Sequence, residues 1–436
     1  MNFSPLQFVG SLKEAASINR EPVFVALTLN AALVIVGYGL AVISGNATVE
    51  AMRLIKNGVL LLSILNLFNQ NNVVAQVAFS QQTKVFIIGG LFMIFSFFSG
   101  DFNSAISSTL TCVVPLVYVA VSVMYLLTKY AKHDVLNALL NATNWIYFIP
   151  IISFFLTGGS ITNTNIYYVD TENSSAFYSN HYGWAGTLFL LTGIDLLKNY
   201  TLPTWRKIFL YVFCPIAAYL TLISGNRTSW LSLGVVSIIF ILQYKQLSVI
   251  NKLLLSLFPI FLVIYLAQDP TSSVNARLEK SKKQYNEGET RFNNSLIAAR
   301  YFNDRPYLWL TGVGLFNPEI LKDKSLITNY HNSYNEVLFG TGVLVFLFFL
   351  YLFLWQPLRK YLKYYARSYL FLPPILIIPF FESNLTGGQF LFYPWFIFTI
   401  LLGSQSIYDI FLVRATLQER EAESQIDRRA SCRERV

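Results

Sequence analysis

About a dozen long apolar runs, joined by short polar segments, constrain this chain more than any other feature. They lie near 23–45, 53–69, 85–100, 106–127, 145–158, 184–199, 208–225, 228–244, 248–267, 335–355, 369–382 and 389–411. A membrane-spanning helix needs roughly 20 apolar residues, and several runs are shorter. The count of about twelve is therefore read to within about two. Charge excludes a soluble fold: only 13% of residues are charged and 54% are apolar, against about 25% charged in an ordinary soluble domain. Too little charge remains to cover that much apolar surface. Disordered and collagen-like chains are excluded on the same composition. The expected fold is all-α, a polytopic integral membrane protein of about 12 transmembrane helices. Its 37 Phe and 26 Tyr suit lipid-facing helices and interfacial belts.

Five segments are expected. Residues 1–22 form an amphipathic, cytoplasmic N-terminus, with Ser4-Pro5 as a helix start and Leu6, Phe8 and Leu12 toward lipid. Nothing in it reads as a cleavable signal. Residues 23–267 form a bundle of about nine helices, 268–334 a long, partly helical outer loop, and 335–411 the C-terminal spans. Residues 412–436 form a cytoplasmic tail whose last positions break every pattern and read as solvated or partly non-native. The net charge of +9 points to membrane orientation rather than nucleic acid. Lys129 and Lys132, Lys198, Arg206 and Lys207, Lys245 and Lys252, and Arg359, Lys360, Lys363 and Arg367 all fall on one side, the inside. The loops around 46–50, 100–105, 159–183 and 383–388 carry no Lys or Arg and fall outside. Three outer segments break the rule: Arg53 with Lys56, Arg227, and the basic loop from about 268 to 334.

Three stretches of that outer face carry chemistry. The hairpin Ser224-Gly225-Asn226-Arg227-Thr228-Ser229-Trp230 turns at Gly225-Asn226 and opens the next helix on Arg227. Taken alone, Arg227 reads as a snorkelling interfacial arginine; the sharper reading is an anion clamp. Within the long loop, Arg291 opens a short amphipathic helix with Phe292, Leu296, Ala299 and Phe302 at helical spacing, and Pro306 stops it. Gly312-Val313-Gly314 is a tight turn, not a dinucleotide fingerprint. His331-Asn332-Ser333-Tyr334-Asn335-Glu336 then leads straight into an apolar span. These groups fit a helix cap as well as a wet cavity, and imidazole is a good general base near neutral pH. Two guanidiniums and one imidazole on one membrane face suit a lipid-linked pyrophosphate donor and a hydroxyl acceptor. No metal site is called for: no Asp-x-Asp faces outside, and Cys112, Cys214 and Cys432 form no cluster.

These strings, with Gly340-Thr341-Gly342 after them, resemble the O-antigen ligase and polymerase superfamily of WaaL-type ligases and Wzy-type polymerases. The likeness covers roughly 185–355; Asn226 and Thr228 depart from the small residues usual around the first arginine. The resemblance implies a GT-C-like membrane glycosyltransferase of the bacterial inner membrane, with a periplasmic active face and no cofactor. The donor it implies is an undecaprenyl-pyrophosphate-linked glycan, and the acceptor a glycan or lipid A-core hydroxyl. Arg227 and Arg291 would hold the pyrophosphate and His331 would activate or orient the acceptor, with inversion at the anomeric centre. Asn332, Asn335, Arg300 and Arg53 are candidate supporting residues. Membrane lipids and a chain-length regulator are the remaining expected partners. Polymerase is slightly favoured over ligase. A flippase of lipid-linked oligosaccharide is the competing reading, disfavoured because charge gathers at one face and no internal repeat is visible.

Overall fold

A computed structural model describes residues 17–44, 72–97, 112–156, 179–243, 290–315, 332–366, 368–376 and 389–408, with scattered positions at 58–65, 106 and 248–283. Among these residues there are helices and no strands. In chain order they are α1 (Pro22–Ser44), α2 (Asn72–Phe97), α3 (Val114–Lys129), α4 (Lys132–Leu156), α5 (Ser179–Asn199), α6 (Thr204–Ile223) and α7 (Arg227–Gln243). Then follow α8 (Thr290–Asn303), the single turn α9 (Leu308–Thr311), α10 (Ser333–Leu350) and α11 (Gln389–Gly403). The helix begun at α10 continues through wider turns to Tyr365.

Three stretches among the described residues are long and apolar enough to cross a membrane: Lys132–Leu156, Thr204–Ile223 and Ser333–Tyr365. Shorter apolar helices, Pro22–Val36, Gln82–Phe95 and Val114–Lys129, accompany them. The chain is thus an all-α membrane protein. The expected runs at 53–69 and 248–267 fall largely outside the described residues. So do Arg53 and Lys56.

Several helices start earlier than hydropathy indicates: α2 at Asn72 rather than 85, α4 at Lys132 rather than 145, α5 at Ser179 rather than 184. Several polar side chains in these extra turns face protein rather than lipid. Gln82 donates to Ser404 Oγ at 2.5 Å, Asn137 accepts from the Tyr369 hydroxyl at 2.6 Å, and His181 is buried beside Trp184. A polar side chain satisfied inside a bundle lowers hydropathy without ending a helix.

One end of the bundle is sewn together by such contacts. Glu21, just before α1, pairs with Lys129 Nζ at 3.2 Å and accepts from the Tyr130 hydroxyl at 2.8 Å. Partial burial works to raise the Glu21 carboxyl, but the bonds from Tyr130 and Lys129 outweigh it and hold its pKa below the ordinary value. Lys132 and Lys360 reach the last carbonyls of α11, where a helix end carries negative charge. Asp195, fully buried near the end of α5, accepts from the backbone N–H groups of Leu370 and Phe371 at 2.7 and 2.9 Å. Arg206 lies 3.8 Å from the ring centre of Trp145 and donates to Asn144, which in turn bonds Thr192 and the Phe189 carbonyl of α5. The loops carrying Lys129 and Lys132, Lys198 and Arg206, and Lys360 therefore meet at one end. The charge pattern assigned those loops to one side of the membrane, and the bundle brings them together.

α4, α5 and α6 form the tightest group. A Cβ at Gly186 would lie 2.6 Å from the Ala217 carbonyl, and one at Gly193 2.6 Å from Cys214 Sγ. Between apolar helices in lipid, small residues supply the close van der Waals contact that the hydrophobic effect does not. This seam fixes the far end of α6, about 30 Å from Thr204 at 1.5 Å per residue, and so fixes the turn that follows it.

Candidate functional site

The far end of α6 closes in a rigid turn. Gly225 adopts φ +64, a conformation open to glycine at little cost. Ser224 Oγ donates to the Thr221 carbonyl at 2.7 Å and accepts from Asn226 N at 3.3 Å. Asn226, fully buried, caps α7: its Oδ1 accepts from Ser229 N at 2.9 Å. The Trp230 indole also donates to the carbonyls of Thr221 and Leu222 at 3.2 and 3.1 Å. α5 presses onto the same turn, since a Cβ at Gly183 would sit 2.6 Å from Ser224 Oγ. Arg227 is thus the first residue of α7, half-buried, on a turn held from both sides. Its amide end also carries the positive pole of the helix dipole.

A second unit stands at the same end. α8, α9 and the start of α10 share a small apolar cluster of Ala298, Phe302, Leu308, Val313 and Phe339, separate from the main core. Phe302 packs edge-on against Trp309 and Phe339, with ring centres 5.4 and 5.2 Å apart. Asn335 Nδ2 donates to Ser295 Oγ at 2.7 Å, joining α8 to the first turn of α10. The buried stripe of α8 differs from the expected one: Leu296 is exposed and Ala298 buried. The seat on α10 sets this register, through Ser295 against Asn335 and Phe302 against Phe339.

α10 is broken at Gly342, where φ is +79 and ψ 172. A break frees the carbonyls of the preceding turn, which no longer meet helical N–H groups. The turn after α9 supplies the donors: Val313 N bonds the Phe339 carbonyl and Gly314 N the Gly340 carbonyl, each at 2.9 Å. Gly312 and Gly314 both have positive φ. A Cβ at Gly312 would collide with the Gly340 carbonyl, and one at Gly342 with the Leu310 carbonyl. The two glycine pairs are therefore one device, a loop docked into an interrupted helix.

Arg227 and the α8–α10 unit share the end of the bundle opposite Lys132 and Lys360. Arg291 lies in the first turn of α8, and its side chain is outside what the structure describes. Arg300 is exposed in the last turn of α8. Asn332 caps α10, its Oδ1 accepting from Tyr334 N at 2.9 Å and Asn335 N at 3.3 Å. Asn332 and Asn335 thus have defined structural duties that aim the chain before α10. His331 lies one residue before that cap and outside the described residues. Sequence reading missed the break at Gly342 and the buried Ser229 and Ser232 on α7, whose hydroxyls find no partner among the described residues. It also placed His181 in a loop, whereas α5 buries it.

Residues 212–350 match the O-antigen ligase family. The matched stretch runs from within α6 to the end of α10 and takes in the capped turn at Arg227, α8, the docked glycine loop and the His331 segment. No curated protein matches the chain.

Proposed function

We propose, for a chain whose residues 212–350 match the O-antigen ligase family, that it transfers glycan from an undecaprenyl-pyrophosphate donor to a sugar hydroxyl at the periplasmic face of the inner membrane. The observation that carries this reading is the coincidence of the matched stretch with one structured end of the bundle. That stretch holds Arg227, Arg291, Arg300, His331, Asn332 and Asn335. An arginine on an immobile turn at a helix start suits a pyrophosphate, because bidentate donors and the helix pole both favour anionic oxygen.

In the proposed step the acceptor oxygen attacks the anomeric carbon from the face opposite the pyrophosphate. The new C–O bond forms as the bond to the pyrophosphate oxygen breaks, so the centre inverts. The acceptor proton passes to His331. Arg227 and Arg291 hold the charge that grows on the departing pyrophosphate. Asn332 and Asn335 act as positioning residues, by capping α10 and tying it to α8. Arg300 and Arg53 supply further positive charge to the donor's surroundings. The acceptor is the non-reducing sugar of a repeat unit in a polymerase, or lipid A-core in a ligase, and the polymerase reading is slightly favoured.

The flippase reading gains from one observation, the interrupted helix at Gly342, because broken helices line transport paths. Here the freed carbonyls are taken by Val313 and Gly314 of the same chain rather than left for a cargo, which favours the enzyme. A lipopolysaccharide gel separates the outcomes. The cognate glycan cluster is supplied to one host lacking its polymerase and another lacking its ligase. A ladder restored only in the first host is expected. Rescue only in the second makes the protein a ligase, and rescue in neither, with the protein in the membrane, removes both assignments.

A further inference from the structure

The end of the bundle opposite Arg227 holds an open pocket of about 120 Å³. It lies between α2, the extension of α10 and the last turn of α11, and its polar lining includes Gln82, Lys84, Gln356 and Thr399. Among the described residues no carboxylate lines it. Lys84 is exposed, with its ammonium 5.6 Å from the ring centre of Tyr351. The nearby ammonium of Lys360 is already bonded to the Gly403 carbonyl, so the negative pole of α11 is neutralised beside the pocket. Gln82 is anchored on Ser404, which fixes that wall.

Two exposed apolar stripes run from this pocket toward the middle of the bundle. On α2 they are Ile87 and Ile94; on α10 and its extension they are Leu344, Leu347, Tyr351 and Trp355. The two helices touch through Phe92 and Phe349, ring centres 5.8 Å apart, so the stripes are neighbours. A cationic, amide-lined head position at the foot of a paired apolar track has the shape of an amphiphile with an anionic head. Tyr351 and Trp355 are exposed beside the pocket, and aromatic side chains of this kind favour the edge of a bilayer.

We propose that this pocket binds the headgroup of an anionic phospholipid, with Lys84 as the phosphate contact and the acyl chains along Ile87, Ile94, Leu344 and Leu347. The site is separate from the glycan-transfer reading and does not rest on it. A zwitterionic headgroup brings its own ammonium toward Lys84 and is disfavoured. Free phosphate meets the same lysine without the apolar track and binds more weakly.

Native mass spectrometry of the full-length protein, titrated with phosphatidylglycerol, phosphatidylethanolamine or inorganic phosphate, tests this. The protein is expected to retain phosphatidylglycerol about fivefold over phosphatidylethanolamine, the preference that one lysine gives at an anionic membrane surface. Lys84→Gln is expected to erase the preference, while Lys84→Arg and Lys207→Gln keep it. Should Lys84→Gln not fold, Gln356→Glu places a carboxylate in the pocket and is expected to remove the preference as well. An undiminished preference in Lys84→Gln or Gln356→Glu overturns the proposal. So does inorganic phosphate displacing the lipid at equal concentration.

Discussion

Arg227→Ala is expected to lower glycan transfer by about 10²- to 10³-fold, the usual loss when one donor to a developing oxyanion is removed. Its amount in the membrane is expected to stay unchanged. The separation follows from the architecture. The turn that carries Arg227 is held by Ser224, the Asn226 cap, the Trp230 indole and the close approach of Gly183, none of which uses the guanidinium. Arg291→Ala is expected to act similarly, from the first turn of α8. Arg305 gives the control at the same end of the bundle. Its guanidinium lies 4.2 Å from the ring centre of Tyr301 and has no assigned part in the donor site. Arg305→Ala is expected to change transfer less than about threefold. Equal, mild losses for all three would mean that this end merely attracts anionic lipid. Transfer is read with membranes of matched protein content and a lipid-linked donor.

Gly312→Val is expected to damage fold and activity together. Its φ of +65 is unfavourable for a β-branched residue, and its Cβ would meet the Gly340 carbonyl. Strain of this kind costs about 1–3 kcal/mol before the collision is counted. The collision would lift the loop off α10, leaving the Phe339 and Gly340 carbonyls without donors. Each bond lost there costs about 1–3 kcal/mol in a buried setting. The expected result is a clear drop in the detergent melting temperature and at least a tenfold loss of transfer. Gly234→Val is the comparison. Gly234 lies inside α7, where a Cβ has nothing within 4 Å, and the variant is expected to melt close to wild type. A Gly312→Val protein that melts and transfers like wild type would show that the docked loop does not hold this end together.

How much of this was legible in the sequence depended on how local each signal is. The Gly225-Asn226 turn, the cap before α10, the stop at Pro306 and the glycine turn at 312–314 are short-range devices, and each is found where its residues indicate. The membrane class followed from composition alone. Helix starts were less legible wherever a polar turn faces protein. Lys132 and Asn137 read as loop because their partners, the α11 carbonyls and Tyr369, stand far off in sequence, while His181 is simply a polar residue in the first turns of α5, packed on Trp184 one turn along the same face. The break at Gly342 was hidden for a similar reason. Two glycines in an apolar run fit a continuous membrane helix, and only the donors from Val313 and Gly314 make the interruption stable. Within the candidate site, residue types were legible and the scaffold was not. Nothing near Arg227 in sequence announces that α5 presses on its turn, or that Asn335 ties α10 to α8.

The most direct test uses purified full-length protein in detergent, a polyprenyl-pyrophosphate-linked glycan and an acceptor. Detergent removes any gradient or sidedness, so an enzyme works and a vectorial transporter shows no chemistry. The expected result is acceptor-dependent glycan transfer with release of polyprenyl pyrophosphate, lost in Arg227→Ala and in His331→Ala. Absence of transfer, with the same preparation moving intact lipid-linked glycan across proteoliposome membranes, would contradict it.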